Sequence, residues 1–237
     1  MTGQLEGRRI VLTGVSRGVG YETAKRILQE GARVLGVSRD GPRLAKAAES
    51  LGPLGDFAPM RADLSDPGAP GLVASAARER WGALDIVMNN AAIMINGGEP
   101  RSFEDEPGLA FERSLEENVV APYRLTMQLL PLLRLGNQPR IVNVGSGAGT
   151  LEALRQSGIA SYRLSKWTLH GMTILLATHL AGEVAVNAFD PGWVKTDMGG
   201  PNAPGSVLDA VQGAMAVLTL PFAVTGKFWK DGKEIAF

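Results

Sequence analysis

Short apolar runs alternate with longer segments of helical periodicity along almost the whole chain. Strands that are apolar almost throughout need cover on both faces, which indicates a parallel sheet between two layers of helices. We therefore predict one doubly wound α/β domain, 1–237, with right-handed crossovers and a mainly parallel sheet of seven strands. The predicted strands include 9–13, 32–37, 57–61, 84–89, 140–144 and 184–189, and the predicted helices are 18–30, 42–51, 67–81, 109–135 and 159–181.

Two segments near the C-terminus carry turn signals. The stretch 199–206 is rich in proline and glycine and is predicted to be a loop within the domain. The segment 226–237 contains Asp231-Gly232 between short apolar groups, a pattern typical of a tight turn.

Composition excludes several classes of function. The chain has no cysteine, which excludes disulfides, cysteine nucleophiles and cysteine-ligated zinc, and we expect no metal site. Its formal net charge is zero, so nothing indicates a nucleic-acid surface or a polybasic membrane patch. The N-terminus lacks a signal-peptide pattern, and no apolar run has the length of a membrane span. We expect a cytoplasmic protein with no nucleic-acid or membrane partner.

A glycine-rich turn joins the first predicted strand to the first predicted helix. Gly14, Gly18 and Gly20 permit a tight turn, close backbone approach to a pyrophosphate and close packing of the helix on the strand. The helix amino terminus then favours phosphate. This position in a βαβ unit predicts Rossmann-type dinucleotide binding by the turn, including Ser16 and Val19.

The end of the second strand predicts the cofactor. An NAD-specific enzyme places an acidic residue there for the ribose, whereas this chain has Ser38 followed by Arg39. A neutral serine does not repel a 2′-phosphate, and the guanidinium groups of Arg39 and Arg17 can pair with one. The pattern predicts NADP(H) over NAD(H). An alternative is that Arg39 pairs with Asp40 or lies in solvent while Arg17 is a free surface charge.

Tyr162 and Lys166 are four residues apart in a predicted helix, so they lie on one face, one turn apart. A tyrosine hydroxyl normally titrates near ~10, and a neighbouring cation favours its ionised form. A drop of roughly three units, about 4 kcal/mol, would let the phenol exchange a proton with a substrate oxygen. Taken alone, such a pair is more commonly an amphipathic side chain packed over its neighbour than a catalytic pair.

These motifs together resemble the short-chain dehydrogenase/reductase family over most of the chain. The matching residues are Thr13-Gly-x-x-x-Gly-x-Gly20, Asp63, Asn89-Asn-Ala-Ala92, Asn118, Ser146, Tyr162-x-x-x-Lys166 and Pro191-Gly-Trp-Val-Lys-Thr196. Segment 192–204 also resembles the subgroup of C-factor and sniffer-type carbonyl reductases.

The resemblance implies a cofactor site along the carboxyl ends of the strands. It implies that Asp63 accepts from the adenine amino group, Ala91 lies near the adenosine ribose, and Val194 and Thr196 hold the carboxamide of the nicotinamide. With the residues of the glycine turn and of the second strand end, the expected cofactor-binding set is Gly14, Ser16, Arg17, Gly18, Val19, Gly20, Ser38, Arg39, Asp63, Leu64, Asn90, Ala91, Ala92, Tyr162, Lys166, Pro191, Gly192, Val194 and Thr196.

The resemblance also implies the reaction, hydride transfer between the nicotinamide and an aldehyde, ketone or secondary alcohol. Tyr162 would exchange the proton, and Ser146 would donate a hydrogen bond to the reacting oxygen. Lys166 would lower the pKa of the tyrosine and hold the nicotinamide ribose. Asn118 would position a water that links Lys166 to solvent.

The serine stands farther ahead of the tyrosine than is common in this family, because Ser146 precedes Tyr162 by sixteen positions. The additional residues fall in 147–159, which we expect to line a substrate pocket together with 93–96 and 193–198. An apolar aldehyde or ketone fits this composition. The predicted pocket residues are Ile93, Met94, Ser146, Leu151, Leu154, Trp193 and Met198.

The sequence is compatible with a second function. A dinucleotide-binding sensor or signalling protein could keep the fold with little turnover, although a sensor needs no proton-transfer residues. The long apolar helices 109–135 and 159–181 suggest a homodimer or homotetramer, and core packing explains the same pattern.

Overall fold

The computed structural model describes residues 3–95 and 103–237. Its strands are β1 (Arg9–Thr13), β2 (Arg33–Ser38), β3 (Phe57–Arg61), β4 (Ile86–Asn89), β5 (Arg140–Val144), β6 (Ala185–Asp190), β7 (Phe228–Lys230) and β8 (Lys233–Ile235). Its α-helices are α1 (Gly18–Gln29), α2 (Gly41–Leu51), α3 (Ala69–Trp81), α4 (Ala110–Leu115), α5 (Ala121–Leu133), α6 (Ala160–His179) and α7 (Val207–Leu218).

The strands form one sheet in the order β3-β2-β1-β4-β5-β6-β7-β8, and the first seven of these positions are parallel. The doubly wound, mainly parallel sheet predicted from the sequence is confirmed. The strand count is eight rather than seven because β7 turns back into an antiparallel β8. Asp231 and Gly232 both have positive φ, 49° and 73°, as a two-residue hairpin turn requires.

Two apolar layers cover the two faces of the sheet. Alternate residues of β1 serve opposite faces: Ile10 and Leu12 pack with α1, α2 and α7, whereas Val11 packs with α3, α5 and α6. Strand side chains alternate in direction, so a strand buried on both faces must be apolar at every position. This requirement explains the continuous apolar runs.

The helices differ from the prediction in two places. The segment predicted as one helix over 109–135 consists of α4 and α5 joined by a π-helical turn, Glu116–Val120, and it begins only after Leu109, whose φ is +64°. Helix α7 was not predicted. Ser206 caps its amino terminus, because the serine hydroxyl accepts a hydrogen bond from the backbone N–H of Asp209 at 3.1 Å. The helix packs beside α1 on the sheet.

Nowhere in residues 3–95 and 103–237 does a helix combine the length and the apolar character needed to span a membrane.

The buried carboxylate of Asp85 joins three segments at the amino-terminal edge of the sheet. Its oxygens accept hydrogen bonds from the backbone N–H of Arg9 at 2.9 Å, from the Arg9 guanidinium at 2.8 and 2.9 Å, and from the N–H of Asn137 at 2.8 Å. Burial alone would raise the pKa of Asp85, but the hydrogen bonds from Arg9 and Asn137 outweigh it and hold the pKa below its usual value.

Replacing this carboxylate should destabilise the fold. We expect Asp85→Ala to lower the free energy of unfolding by about 3 kcal/mol at pH 7, because two backbone N–H groups and a guanidinium lose their acceptor. Urea unfolding measures the change. Glu152→Ala is the control, since its ion pair with Arg155 is exposed, and it should change stability by less than about 0.5 kcal/mol.

The stability lost in Asp85→Ala should also depend on pH, and the direction of this dependence follows from the pKa of Asp85. A lowered pKa in the folded state means that the unfolded state binds the proton more readily. The contribution of Asp85 is therefore complete above the unfolded pKa of about 3.9 and is lost as the pH falls through the folded value. A difference between wild type and Asp85→Ala that widened on acidification would contradict this account.

Candidate active site

A cavity of about 1120 Å³ runs along the carboxyl ends of the parallel strands. Its lining begins at the glycine turn after β1, continues past the ends of β2, β3 and β4, and reaches Ser146, Tyr162 and Lys166. Ligands of open α/β sheets bind at this edge, where the strand order reverses. In this sheet the reversal lies between β1 and β4.

The glycine turn is held against the end of β4 by Asn90. Its side-chain amide donates to the carbonyl of Thr13 at 2.8 Å, while the Thr13 hydroxyl accepts from the N–H groups of Asn90 and Ala91 at 3.0 and 2.9 Å. Gly14 and Gly18 have positive φ, 76° and 59°. A side chain at Gly20 would collide with the carbonyl oxygen of Gly14 and the amide of Asn90. Only glycine therefore fits this crossing, which leaves a backbone-lined cradle of the kind that accepts a pyrophosphate.

Arg39 and Arg17 line the part of the cavity that the sequence assigns to the adenosine phosphate. The Arg39 guanidinium forms an ion pair with the Glu117 carboxylate at 2.7 Å. It therefore neither pairs with Asp40 nor lies free in solvent, the two alternatives left by the sequence. Arg17 pairs with Asp197, and a third guanidinium, that of Arg43, reaches the same carboxylate oxygen at 3.1 Å.

Ser38 and Asp63 lie beside these arginines. The Ser38 hydroxyl donates to that of Ser16 at 3.0 Å, which joins the end of β2 to the glycine turn. Asp63 accepts from the hydroxyl and the N–H of Ser65 at 2.7 and 3.1 Å. Burial opposes ionisation of Asp63, but the Ser65 hydrogen bonds and the positive charge of Arg39 lower its pKa overall. Both residues line the cavity.

Tyr162 and Lys166 lie on one face of α6, as their spacing predicts. The Lys166 Nζ donates to the carbonyl of Val144 at 2.9 Å and lies 5.7 Å from the centre of the Tyr162 ring. Burial lowers the pKa of Lys166 to about 8, with the negative charge of Asp190 opposing it.

The pKa of Tyr162 moves in the direction opposite to the one expected from the sequence. Burial raises it to about 12, the negative charge of Asp190 adds to the increase, and the hydrogen bond with Ser146 reduces it. The net lowering expected from Lys166 is not found in this structure, because burial, which disfavours the charged phenolate, has the largest effect on the pKa of Tyr162. At neutral pH the phenol is protonated and is available as a proton donor.

Ser146 follows β5 and starts a tight turn, Gly147–Gly149. Its hydroxyl oxygen accepts a hydrogen bond from the N–H of Ala148 at 3.1 Å, and its side chain lies close enough to Tyr162 to lower the pKa of the phenol. Ser146 therefore reaches the tyrosine in spite of the additional residues between them.

Asn118 is buried in the π-helical turn, behind the cavity lining. Its amide exchanges two hydrogen bonds with the backbone of Ile93, at 2.8 and 2.9 Å, and donates to the hydroxyl of Ser165 at 2.9 Å. These contacts fix the cavity wall at Ile93. The predicted water-positioning role of Asn118 stays a prediction.

Asp190 and Lys230 are neighbours on β6 and β7, at the edge of the sheet that lines the cavity. The Asp190 carboxylate is buried. It accepts from the Lys230 ammonium at 2.9 Å and from the N–H of Gly192 at 2.9 Å. A side chain at Gly147 would come within 2.9 Å of the same carboxylate. Asp190 thus connects the turn after β6, the Ser146 turn and the C-terminal hairpin.

Most of the predicted site residues come together. All the predicted cofactor residues line the cavity, as do the predicted pocket residues Ile93, Met94, Ser146, Trp193 and Met198. Leu151 and Leu154 do not. The guanidinium of Arg163 on α6 holds the backbone around them through the carbonyls of Ala153 and Gly158, at 3.0 and 2.8 Å, and Leu151 is exposed. Asn96, also predicted to line the pocket, lies outside the described residues.

Among the residues at or beside this cavity that the sequence did not indicate are Arg43, Asp190, Lys230 and His170. A signal existed for His170, which follows Lys166 by four residues and therefore continues the same helical face. No signal existed for the others, because their partners come from distant parts of the chain.

The crossing at Gly20 gives a direct test of the cradle. We expect Gly20→Ala to lower the free energy of unfolding by about 1–3 kcal/mol, because the new methyl must displace backbone and the buried Asn90 amide. Thermal and urea unfolding measure the change. Gly71→Ala in α3 is the control, since its added methyl meets nothing within 4 Å. An unchanged stability for Gly20→Ala would show that the crossing tolerates a side chain.

Comparison with known proteins agrees with this geometry. The family model described as short chain dehydrogenase matches residues 8–205. A rhamnolipids biosynthesis 3-oxoacyl-[acyl-carrier-protein] reductase from Pseudomonas aeruginosa is 36% identical over 193 residues, covering 79% of this chain and 73% of that protein.

Two carbonyl reductases of known structure superpose over nearly their full length. One, from chicken fatty liver with NADPH bound, has a TM-score of 0.88 and 26% identity, covering 98% of this chain and 100% of that one. The other, Sniffer of D. melanogaster, has a TM-score of 0.86 and 23% identity, covering 98% and 100%, and shows the shared fold alone. The matched family model, the relative and the fold agree with the sequence resemblance: the chain belongs to the short-chain dehydrogenase/reductase family of oxidoreductases.

Proposed function

We propose that this protein is an NADP(H)-dependent reductase of aldehydes or ketones, reversible toward the secondary alcohol. The observation that carries the proposal is one continuous cavity with a glycine cradle at one end and Ser146, Tyr162 and Lys166 at the other. A dinucleotide and a carbonyl compound can share such a cavity. The 3-oxoacyl and carbonyl reductases among its relatives and neighbours support the same class of substrate.

The residues present fit a dinucleotide. Gly14, Gly18 and Gly20 keep the backbone of the turn bare, and three arginines surround the end of β2. Pro191, Gly192, Val194 and Thr196 also line the cavity and would hold the nicotinamide end. When bound, NADPH supplies the hydride equivalent of the reduction.

The chain supplies the proton and the alignment. Tyr162, protonated at neutral pH, donates to the oxygen of the carbonyl as negative charge develops there. The Ser146 hydroxyl donates a hydrogen bond to the same oxygen, an interaction that strengthens with that charge. Lys166, anchored on the carbonyl of Val144, holds the ribose and remains mostly cationic at pH 7.

NADP(H) is preferred over NAD(H) in this proposal. The guanidinium groups of Arg17, Arg39 and Arg43 are exposed. A 2′-phosphate can therefore replace the carboxylates of Asp197 and Glu117 as their ion-pair partner. Exposed ion pairs are weak, so their exchange for a doubly charged phosphate is favourable. The NADPH bound to the chicken neighbour supports this choice.

Replacing Arg39 should change the cofactor preference. We expect Arg39→Asp to lower the ratio of kcat/KM for NADPH to that for NADH at least ~10-fold, about 1.4 kcal/mol, since the new carboxylate repels the 2′-phosphate and can bind a ribose hydroxyl. Initial rates with each cofactor give the ratio. Arg155→Asp, an exposed arginine outside the cavity lining, should leave it unchanged. An unchanged ratio for Arg39→Asp would contradict the assignment.

The proton donor is tested by removing one oxygen atom. We expect Tyr162→Phe to lower kcat/KM for carbonyl reduction by about 100-fold or more while the Kd for NADPH changes less than about 2-fold. NADPH oxidation over a panel of aldehydes and ketones, with fluorescence titration of NADPH, measures both. Tyr123→Phe, on the exposed side of α5, is the matched control.

The outcome also separates the enzyme from a sensor. Tight NADPH binding by the wild-type protein with no turnover over the whole panel would favour a dinucleotide-binding sensor. Turnover retained in Tyr162→Phe would exclude Tyr162 as the proton donor.

We also propose that the protein is a homodimer or homotetramer. Helices α4, α5 and α6 carry large apolar side chains that are exposed in the isolated chain, among them Phe111, Tyr123, Ile174 and Leu175. Exposed apolar surface of this kind is typical of interfaces.

A further inference from the structure

Helix α6 presents a third polar side chain on the face of Tyr162 and Lys166. His170 follows Lys166 by four residues, as Lys166 follows Tyr162, so the three side chains form one row along the helix. The imidazole of His170 is completely buried. The proposed proton transfer uses Tyr162 and Lys166 and leaves His170 without a role.

The imidazole holds both ends of the Ser146 turn. Its Nε2 lies 3.4 Å from the backbone nitrogen of Ser146 and accepts that N–H, and its Nδ1 lies 3.1 Å from the carbonyl oxygen of Gly149. A carbonyl oxygen only accepts, so Nδ1 carries the proton and Nε2 keeps its lone pair. Both ring nitrogens are therefore used, one at each end of the turn.

The row of side chains fixes the strand end as well as the turn. Lys166 bonds to the carbonyl of Val144, two residues before Ser146, and His170 bonds to Ser146 itself. The segment 144–149 is therefore bound at three points to the helix that carries Tyr162. The position of the Ser146 hydroxyl relative to the Tyr162 hydroxyl is set by these contacts.

The surroundings of His170 keep it neutral and immobile. Its ring lies against Phe228, with ring centres 4.3 Å apart, and against Phe237, with ring centres 5.4 Å apart. Burial lowers the pKa of His170 to about 4, and the charge of Lys166 acts in the same direction. The hydrogen bond to Gly149 and the negative charge of Asp190 oppose this lowering. At neutral pH the Nε2 acceptor is thus preserved.

We propose that His170 is a positioning residue for the reduction, which acts through Ser146 by holding the serine turn in register with Tyr162. The inference rests on the proposed function, since it assigns His170 to the same reaction. A positioning role for His170 differs from ordinary core packing in one measurable respect. A core histidine contributes to stability alone, whereas a positioning residue loses its effect on the rate once the group it positions has been removed.

A double-mutant cycle with Ser146→Ala tests this difference. His170→Phe keeps an aromatic ring beside Phe228 and Phe237 and removes both ring nitrogens. We expect it to lower kcat for carbonyl reduction about 10-fold to 100-fold in the wild-type background and less than about 2-fold in the Ser146→Ala background. The Kd for NADPH should stay within about 2-fold in all four proteins.

The control is His179→Phe. This second histidine of α6 is exposed and its Nδ1 lies 2.8 Å from the carbonyl oxygen of Leu175 on its own helix. It should change kcat less than about 2-fold. An equal factor for His170→Phe in both backgrounds, or no loss of kcat in the wild-type background, would overturn the inference.

A second pair of variants covers the case in which His170→Phe does not fold. Gln at position 170 reaches as far as Nε2 and offers an oxygen to the Ser146 N–H, whereas Asn reaches only as far as Nδ1. We expect kcat of His170→Gln to exceed that of His170→Asn at least about 5-fold at similar Tm. Equal kcat values for the two variants would overturn the proposal.

The double-mutant cycle also distinguishes a failure of the proposed function from a failure of the role assigned to His170. A wild-type protein without reductase activity, or a Ser146→Ala variant with unchanged kcat, would refute the proposed function. A Ser146→Ala variant with lowered kcat, combined with a fully additive effect of His170→Phe, would refute the role of His170 alone.

Discussion

The hydrogen bonds between Asn90 and Thr13 join β4 to β1 at the point where the strand order reverses. Connections leave the sheet on opposite faces here, which opens a crevice at the carboxyl edge. The Asn90 amide fills the space behind Gly14 and Gly20 and leaves the backbone of the turn facing the crevice. The shape of the glycine turn, and with it this part of the cavity, depends on this junction.

Helix α6 supplies the second constraint. A helix repeats its direction about every four residues, so its face carries Tyr162, Lys166 and His170 at fixed spacing. Lys166 and His170 are attached to the end of β5 and to the turn that follows it. The distance between the tyrosine and the serine is therefore determined by packing of one helix on one strand end. The hydrogen bonds of Lys166 and His170 end at Gly149, so the remaining residues of the connection, 150–159, take no part in them.

Charges at the two ends of the cavity have different physical roles. The arginines around the end of β2 are exposed. The ion pairs of Arg17 and Arg43 with Asp197 are exposed on both sides and contribute little to stability, which leaves these two guanidinium groups available to a phosphate. Near Tyr162 the charges are buried, so each one affects its neighbours strongly. Asp190 opposes ionisation of Tyr162 and favours the charged form of Lys166.

The amino-acid sequence by itself determined the parallel α/β sheet, the bounds of β1, β3 and β5, the glycine turn and the grouping of Tyr162 with Lys166, because these follow from periodicity and from short local motifs. The tertiary structure alone decided the pairing of the β7–β8 hairpin with β6, the position of Leu151 and Leu154 outside the cavity, and the direction of the Tyr162 pKa shift. These features depend on burial and on neighbours such as Asp190 that are distant along the chain, and no local pattern contains that information.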